Sequence, residues 1–218
     1  MKRLWPTMVL AGLLAAIALA QLAVEMSQGR DWLLIYGAAS SLALAHGLWW
    51  TPLTSMFLHG GLLHVAMNVS GMVALGPAVH YRWGVGVSGA VKYLIFFILT
   101  GLAGSAVFLL LNPAGQVPMV GASGAICGLW GAAARISPYS DRLFPILSGP
   151  VWRQARAFLL MNLILVALFF VPSLLVGGGL GGIAWEAHLG GFLAGLLLIA
   201  APPFRPPPAP SGPWTDPV

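Results

Sequence analysis

The chain has 218 residues, of which 59% are hydrophobic and only 7% charged. Soluble domains carry about a quarter charged residues, so the composition argues against a water-soluble enzyme and for one membrane domain with no separate soluble domain. The net charge of +5 forms no basic patch interleaved with aromatics, which argues against nucleic acid as a partner and leaves the basic residues as topology signals. A single cysteine, Cys127, excludes an internal disulfide and a paired-thiolate metal site, and reads as a small packing residue.

In chain order, Lys2 and Arg3 precede an apolar run over about 4–24. Ala18-Leu19-Ala20 before Gln21 looks like a signal-peptidase site, but the run is long for a signal core, so it reads as an uncleaved first span. Residues 25–58 mix Gln28, Arg30, Asp31, His46, Trp49, Trp50 and Pro52 with short apolar pieces. They read as a loop partly embedded at the outer surface, where Trp and Tyr are favoured. Further spans are expected at about 60–79, 88–111, 120–136, 157–176 and 183–201, with a polar loop over 137–156 and a glycine turn at 177–182. Residues 202–218 are proline-rich and expected to be a disordered cytoplasmic tail. The expected fold is therefore an all-α membrane protein, a six-span domain over 1–201. Nine basic residues fall on the starting side (Lys2, Arg3, Arg82, Lys92, Arg135, Arg142, Arg153, Arg156, Arg205) and only Arg30 on the other, which puts both termini in the cytoplasm.

A few polar side chains then stand out at one depth. Ser123 follows the turn before the fourth span, His188 lies just inside the sixth, and His64 and Asn68 lie in the first two turns of the second. By this topology all four sit near the outer surface, and polar groups inside a membrane are functional candidates. His64 and Asn68 are four apart and share a helix face. Gly124 to Gly128 and Gly191 to Gly195 are small-xxx-small spacings that let membrane helices approach closely, which would bring Ser123 near His188. A serine needs an adjacent base to act as a nucleophile, and neutral histidine can serve. The oxyanion that forms needs donors, available from Asn68, His64 and the backbone N–H of Ser123. Glu186 points about 200° away from His188 on a helix, so no acid completes a triad and a Ser–His dyad is expected. The chain has no His-Glu-x-x-His motif and no pair of intramembrane aspartates, and the chemistry calls for no metal or other cofactor.

The pieces His64-x-x-x-Asn68, Gly121-Ala122-Ser123-Gly124 and Ala187-His188-x-x-Gly191-x-x-x-Gly195 together resemble the rhomboid intramembrane serine proteases. The resemblance implies a six-span bundle with Ser123 as nucleophile and His188 as its base. His64, Asn68 and the Ser123 backbone would form the oxyanion hole. It also implies cleavage in or beside the transmembrane helix of a single-span substrate, entering sideways between the second and fifth spans. The minimal six-span size points to a bacterial cytoplasmic membrane, and the topology to a site opening outward. Gly121, Gly124, Gly191 and Gly195 would support the site, and His59 matches a position that braces the outer loop. Two departures stand out. Many relatives carry Trp-Arg about nine residues before the position of His59, where this chain has Trp50-Thr51. Bacterial relatives often carry a tyrosine at the position of Cys127, so ring support for His188 is expected from Phe192 or Trp185. A non-cutting relative that binds transmembrane helices is the rival reading.

Overall fold

Long apolar runs without internal breakers become helices because only a helix satisfies every backbone group within one segment. The computed structural model describes residues 4–205 apart from 85, 116, 139, 141 and 176–181. Lys2, Arg3, most of the glycine turn and residues 206–218 of the expected tail therefore lie outside the described residues. Among the described residues the helices are α1 (Trp5–Gln28), α2 (Arg30–Gly37), α3 (Ser41–Ala45), α4 (Thr51–Thr54), α5 (Leu62–His80), α6 (Val87–Leu111), α7 (Ser123–Arg135), α8 (Gly149–Leu175) and α9 (Trp185–Leu198). Single 3-10 turns follow α4 and α5, at Ser55–Phe57 and Tyr81–Trp83. Among the described residues, four segments are long and apolar enough to cross a membrane: Trp5–Ser27, Leu62–Trp83, Val87–Leu111 and Gly149–Phe169. The 13 residues of α7 and 14 of α9 make helices only about 20 Å long at 1.5 Å per residue.

The short α7 is the axis. It carries Gly124, Ala125, Gly128, Gly131, Ala132 and Ala134 at buried positions, so neighbouring helices can approach it on several sides. α5, α6, α8 and α9 all pack against it. A Cβ on Gly191 would fall on the carbonyl of Gly124, and one on Gly195 on the carbonyl of Gly128, so α7 and α9 touch backbone to backbone. α6 closes the third side, where a Cβ on Gly104 would lie 2.6 Å from the carbonyl of Ala187. The core beside this trio holds Leu14, Met72, Tyr93, Phe96, Phe97 and Leu129, all nearly or wholly inaccessible. The outer surface is apolar instead: on α8, Leu159, Leu160, Met161, Leu163 and Leu168 are exposed. Such a surface suits lipid rather than water.

Three expectations need correction. Residues 25–58 are mostly helical rather than a loop, because α1 continues to Gln28 and α2, α3 and α4 follow. The direction changes at Gly29 and Gly47, whose φ of 85° and 81° glycine adopts without strain. Local bonds stabilise the pieces: Ser40 caps α3 by accepting from Ala43 N–H, and Thr54 Oγ1 donates to the Gly37 carbonyl. Second, α8 begins at Gly149 inside the expected polar loop, with Pro150 in its first turn where no backbone N–H is needed. Arg153 and Arg156 face outward while Val151 and Phe158 join the core against α7 and α9. Third, residues 202–205 pack. Phe204 is buried against Trp83 and Phe96, and Trp83 Nε1 donates to its carbonyl at 2.6 Å.

Candidate active site

Ser123 is delivered by a pinned strap. Met119 forms an antiparallel bridge with Ala39, its N–H donating to the Ala39 carbonyl at 2.8 Å and its carbonyl accepting at 3.0 Å. Gly121 N–H donates to the Ser55 carbonyl at 2.8 Å. The strap ends at Ala122, the N-cap of α7, so Ser123 is the first helical residue. Its N–H belongs to the first turn, which has no partner within the helix.

His188 lies in the first turn of α9 and is 6% exposed. Its Nε2 is 2.7 Å from Ser123 Oγ. The glycine contacts between α7 and α9 set this distance, because any side chain there would push the helices apart. Glu186 turns away, as its helical offset requires: its carboxylate accepts from Asn112 Nδ2 at 3.2 Å.

His64 and Asn68 reach the site from α5. The Gly60 N–H donates to His64 Nδ1 at 3.1 Å, so Nδ1 carries the lone pair and the ring proton belongs on Nε2. That Nε2 points at Gly121, where an added Cβ would lie 2.7 Å from it and 3.8 Å from Asn68 Nδ2. Asn68 Nδ2 also donates to the His64 carbonyl at 2.9 Å, which orients the amide. Two donors thus converge beside Gly121, whose φ of 118° and lack of a side chain keep the space clear. A cavity of about 10 Å³, lined by Met56, Ser105, Gly121 and Ser123 among others, adjoins it and matches the size of one water.

The supporting residues sort less simply. Gly124, Gly191 and Gly195 make the α7–α9 contact. His59 is 3% exposed, yet neither ring nitrogen finds a hydrogen-bond partner among the described residues. Its ring meets His64 edge-on with centroids 5.2 Å apart. Burial, reinforced by the neighbouring His64, holds its pKa down at about 4 against an ordinary 6.5. Gln21 of α1 holds its backbone on both sides, Nε2 donating to the His59 carbonyl at 2.7 Å and Oε1 accepting from its N–H at 2.9 Å. Among the described residues, the ties to α1 at this position run through the His59 backbone rather than its ring nitrogens. The outer loop is tied by Trp50 Nε1 to the Tyr36 carbonyl at 2.9 Å and by the buried Thr51 to the Leu48 carbonyl at 2.8 Å.

Sequence reasoning missed Asn162. Its Oδ1 lies 2.6 Å from His188 Nδ1. The available signal was the only amide side chain in the apolar run 157–176, an intramembrane polar group of the kind that marks function. Of the two rings expected to support His188, Phe192 stacks on Phe158, and Trp185 is 46% exposed.

The fold and site define an all-helical protein, apolar on its outside, with a serine hydroxyl, an imidazole and convergent N–H donors gathered at one end of the bundle. Residues 46–202 match the family model of the Rhomboid domain. The chain is 28% identical over 175 residues to rhomboid protease GluP of Bacillus subtilis, covering 80% of this chain and 30% of that protein. It is 32% identical over 162 residues to RHOMBOID-like protein 5 of Arabidopsis thaliana, covering 74% and 47% respectively. It is 29% identical over 168 residues to Rhomboid-like protease 3 of Toxoplasma gondii, covering 77% and 57%. The chain thus spans between about a third and somewhat over half the length of these curated relatives. It belongs to the rhomboid family and is an integral membrane protein.

Proposed function

We propose that this chain is an intramembrane serine endopeptidase that cuts peptide bonds in or beside the transmembrane helices of single-span membrane proteins. The observation that carries the reading is the 2.7 Å contact between Ser123 Oγ and His188 Nε2, beside the donors at Gly121. Ser123 Oγ attacks the scissile carbonyl carbon as its proton passes to His188 Nε2. The carbonyl electron pair moves onto oxygen, held by His64 Nε2–H, Asn68 Nδ2–H and the Ser123 N–H. Collapse breaks the C–N bond, and the Nε2 proton goes to the leaving amine. A water then attacks the acyl-serine by the same base, releasing the acid and restoring Ser123. No cofactor takes part. In this reading α7 and α9 complete six spans with α1, α5, α6 and α8. Both termini face the cytoplasm of a bacterial cell, and the site opens to the outer side of the cytoplasmic membrane.

The test is cleavage of a single-span reporter by purified protein in liposomes, comparing wild type with Ser123→Ala and His188→Ala. Cleavage by wild type that both substitutions reduce at least about 10³-fold supports the reading, since serine and histidine act as one unit. Equal cleavage by all three overturns it. Binding of the reporter helix without cleavage by any of them points to the non-cutting relative.

A further inference from the structure

We infer that Asn162 is a positioning residue for His188, fixing its tautomer and ring plane so that Nε2 faces Ser123 as a base; the inference rests on the hydrolytic reading above. Asn162 Nδ2 donates to the Phe158 carbonyl at 2.9 Å, one turn back along α8. A carbonyl only accepts, so this bond assigns the two ends of the amide and leaves Oδ1 facing His188. Oδ1 likewise only accepts. At 2.6 Å from Nδ1 it requires the imidazole proton to be there. Nε2 then carries the lone pair, and at 2.7 Å it accepts from the Ser123 hydroxyl. In the opposite tautomer two lone pairs would meet at Nδ1, and Nε2–H would donate to the serine it must deprotonate. When His188 takes the serine proton, Nδ1–H gains positive charge and its bond to Oδ1 strengthens.

The register of α8 on α9 keeps this contact. Phe158 and Phe192 stack with centroids 4.1 Å apart, and each lies four residues from its partner in the Asn162–His188 pair. Residues four apart share a helix face, so one stack aligns the polar pair one turn away.

The test measures reporter cleavage by the full chain in liposomes from pH 5 to pH 9, for wild type, Asn162→Leu, Asn162→Asp and Ser123→Ala. The titratable groups around His188 are His64 on α5, Cys127 one turn beyond Ser123 on α7, and Glu186 on α9, bound to Asn112. α8 has none between 157 and 175, and Lys92 and Tyr93 of α6 lie at its far end. Asn162→Leu is expected to lower kcat about 10- to 100-fold with little change in KM, because ground-state binding is untouched. Its acid limb should move to lower pH, as the imidazolium loses its acceptor. Asn162→Asp should recover much of kcat and move the limb to higher pH. A merely structural role would move neither limb. Wild-type rates and an unmoved limb in Asn162→Leu, with Ser123→Ala inactive, would overturn the role of Asn162 and leave the hydrolytic reading standing. Full activity in Ser123→Ala would overturn both. If melting shows Asn162→Leu unfolded, the aspartate variant decides, and an unmoved limb there counts against the inference.

Discussion

Phe158 of α8 and Phe192 of α9 stack face to face, with planes 15° apart, and Trp130 of α7 meets Phe158 edge-on at 5.7 Å. This aromatic column is a main tie of α8, whose outer face is otherwise exposed. Lipid tails are as apolar as the ring, so removing it forfeits packing rather than a hydrophobic transfer term. Phe158→Ala is expected to lower stability by about 1–3 kcal/mol, the worth of two aromatic pairs. Its effect on cleavage should exceed its effect on melting, because Asn162 hangs from the same turn. Parallel melting and rate measurements in detergent check this.

The glycines of α9 offer a contrast with a glycine of α1. A Cβ at Gly195 would collide with the carbonyl of Gly128, whereas one at Gly12 meets nothing within 4 Å. Backbone cannot move aside as a side chain can, so Gly195→Ala should cost about 1–3 kcal/mol or more. Gly12→Ala should be neutral or stabilise by up to about 1 kcal/mol through helix propensity. Thermal midpoints of the two variants decide the matter, and equal shifts would contradict the close contact of α7 and α9.

Gly121 tests the space beside the donors. Alanine there combines a φ of 118° with a Cβ 2.7 Å from His64 Nε2. Gly121→Ala is expected to reduce cleavage about 10²- to 10³-fold, comparable to losing one oxyanion donor. Binding of a non-cleaved reporter helix should change little. A variant with wild-type rate would show that the oxyanion forms elsewhere.

His59 predicts an acid sensitivity. Above about pH 6.5 the residue is neutral folded and unfolded, and it opposes nothing. Between 6.5 and about 4 the unfolded chain binds a proton that the folded chain refuses, so stability falls as pH drops through that window. His59→Gln should flatten the decline in melting temperature between pH 7 and pH 4.5. The Gln21 bonds engage only backbone atoms of residue 59, so they remain in that variant. An unchanged slope would place the acid sensitivity at other groups.

Much of this site was legible because its signals are local. The four-residue spacing of His64 and Asn68, the glycine spacings and the serine at a loop-to-helix turn all follow from helix periodicity. Thr51 and Cys127 were legible as departures but not in their consequences. The outer segment was misread because its short helices are stabilised by bonds such as Thr54 to Gly37 and Trp50 to Tyr36, which no local hydropathy pattern reveals.

By itself the sequence determined a helical membrane protein with a serine, two histidines and an asparagine singled out within apolar segments, since composition and periodicity act residue by residue along the chain. Only the tertiary structure decided which atoms face each other. Ser123 and His188 are 65 residues apart, and Asn162 and His188 are 26 apart. Their meeting depends on glycine backbones in contact and aromatic rings in register between separate helices. The same packing, through Gly60 on one ring and Asn162 on the other, sets which nitrogen of His64 donates and which nitrogen of His188 accepts. A tautomer is chosen by its neighbours in space, so it is settled only once the helices have come together.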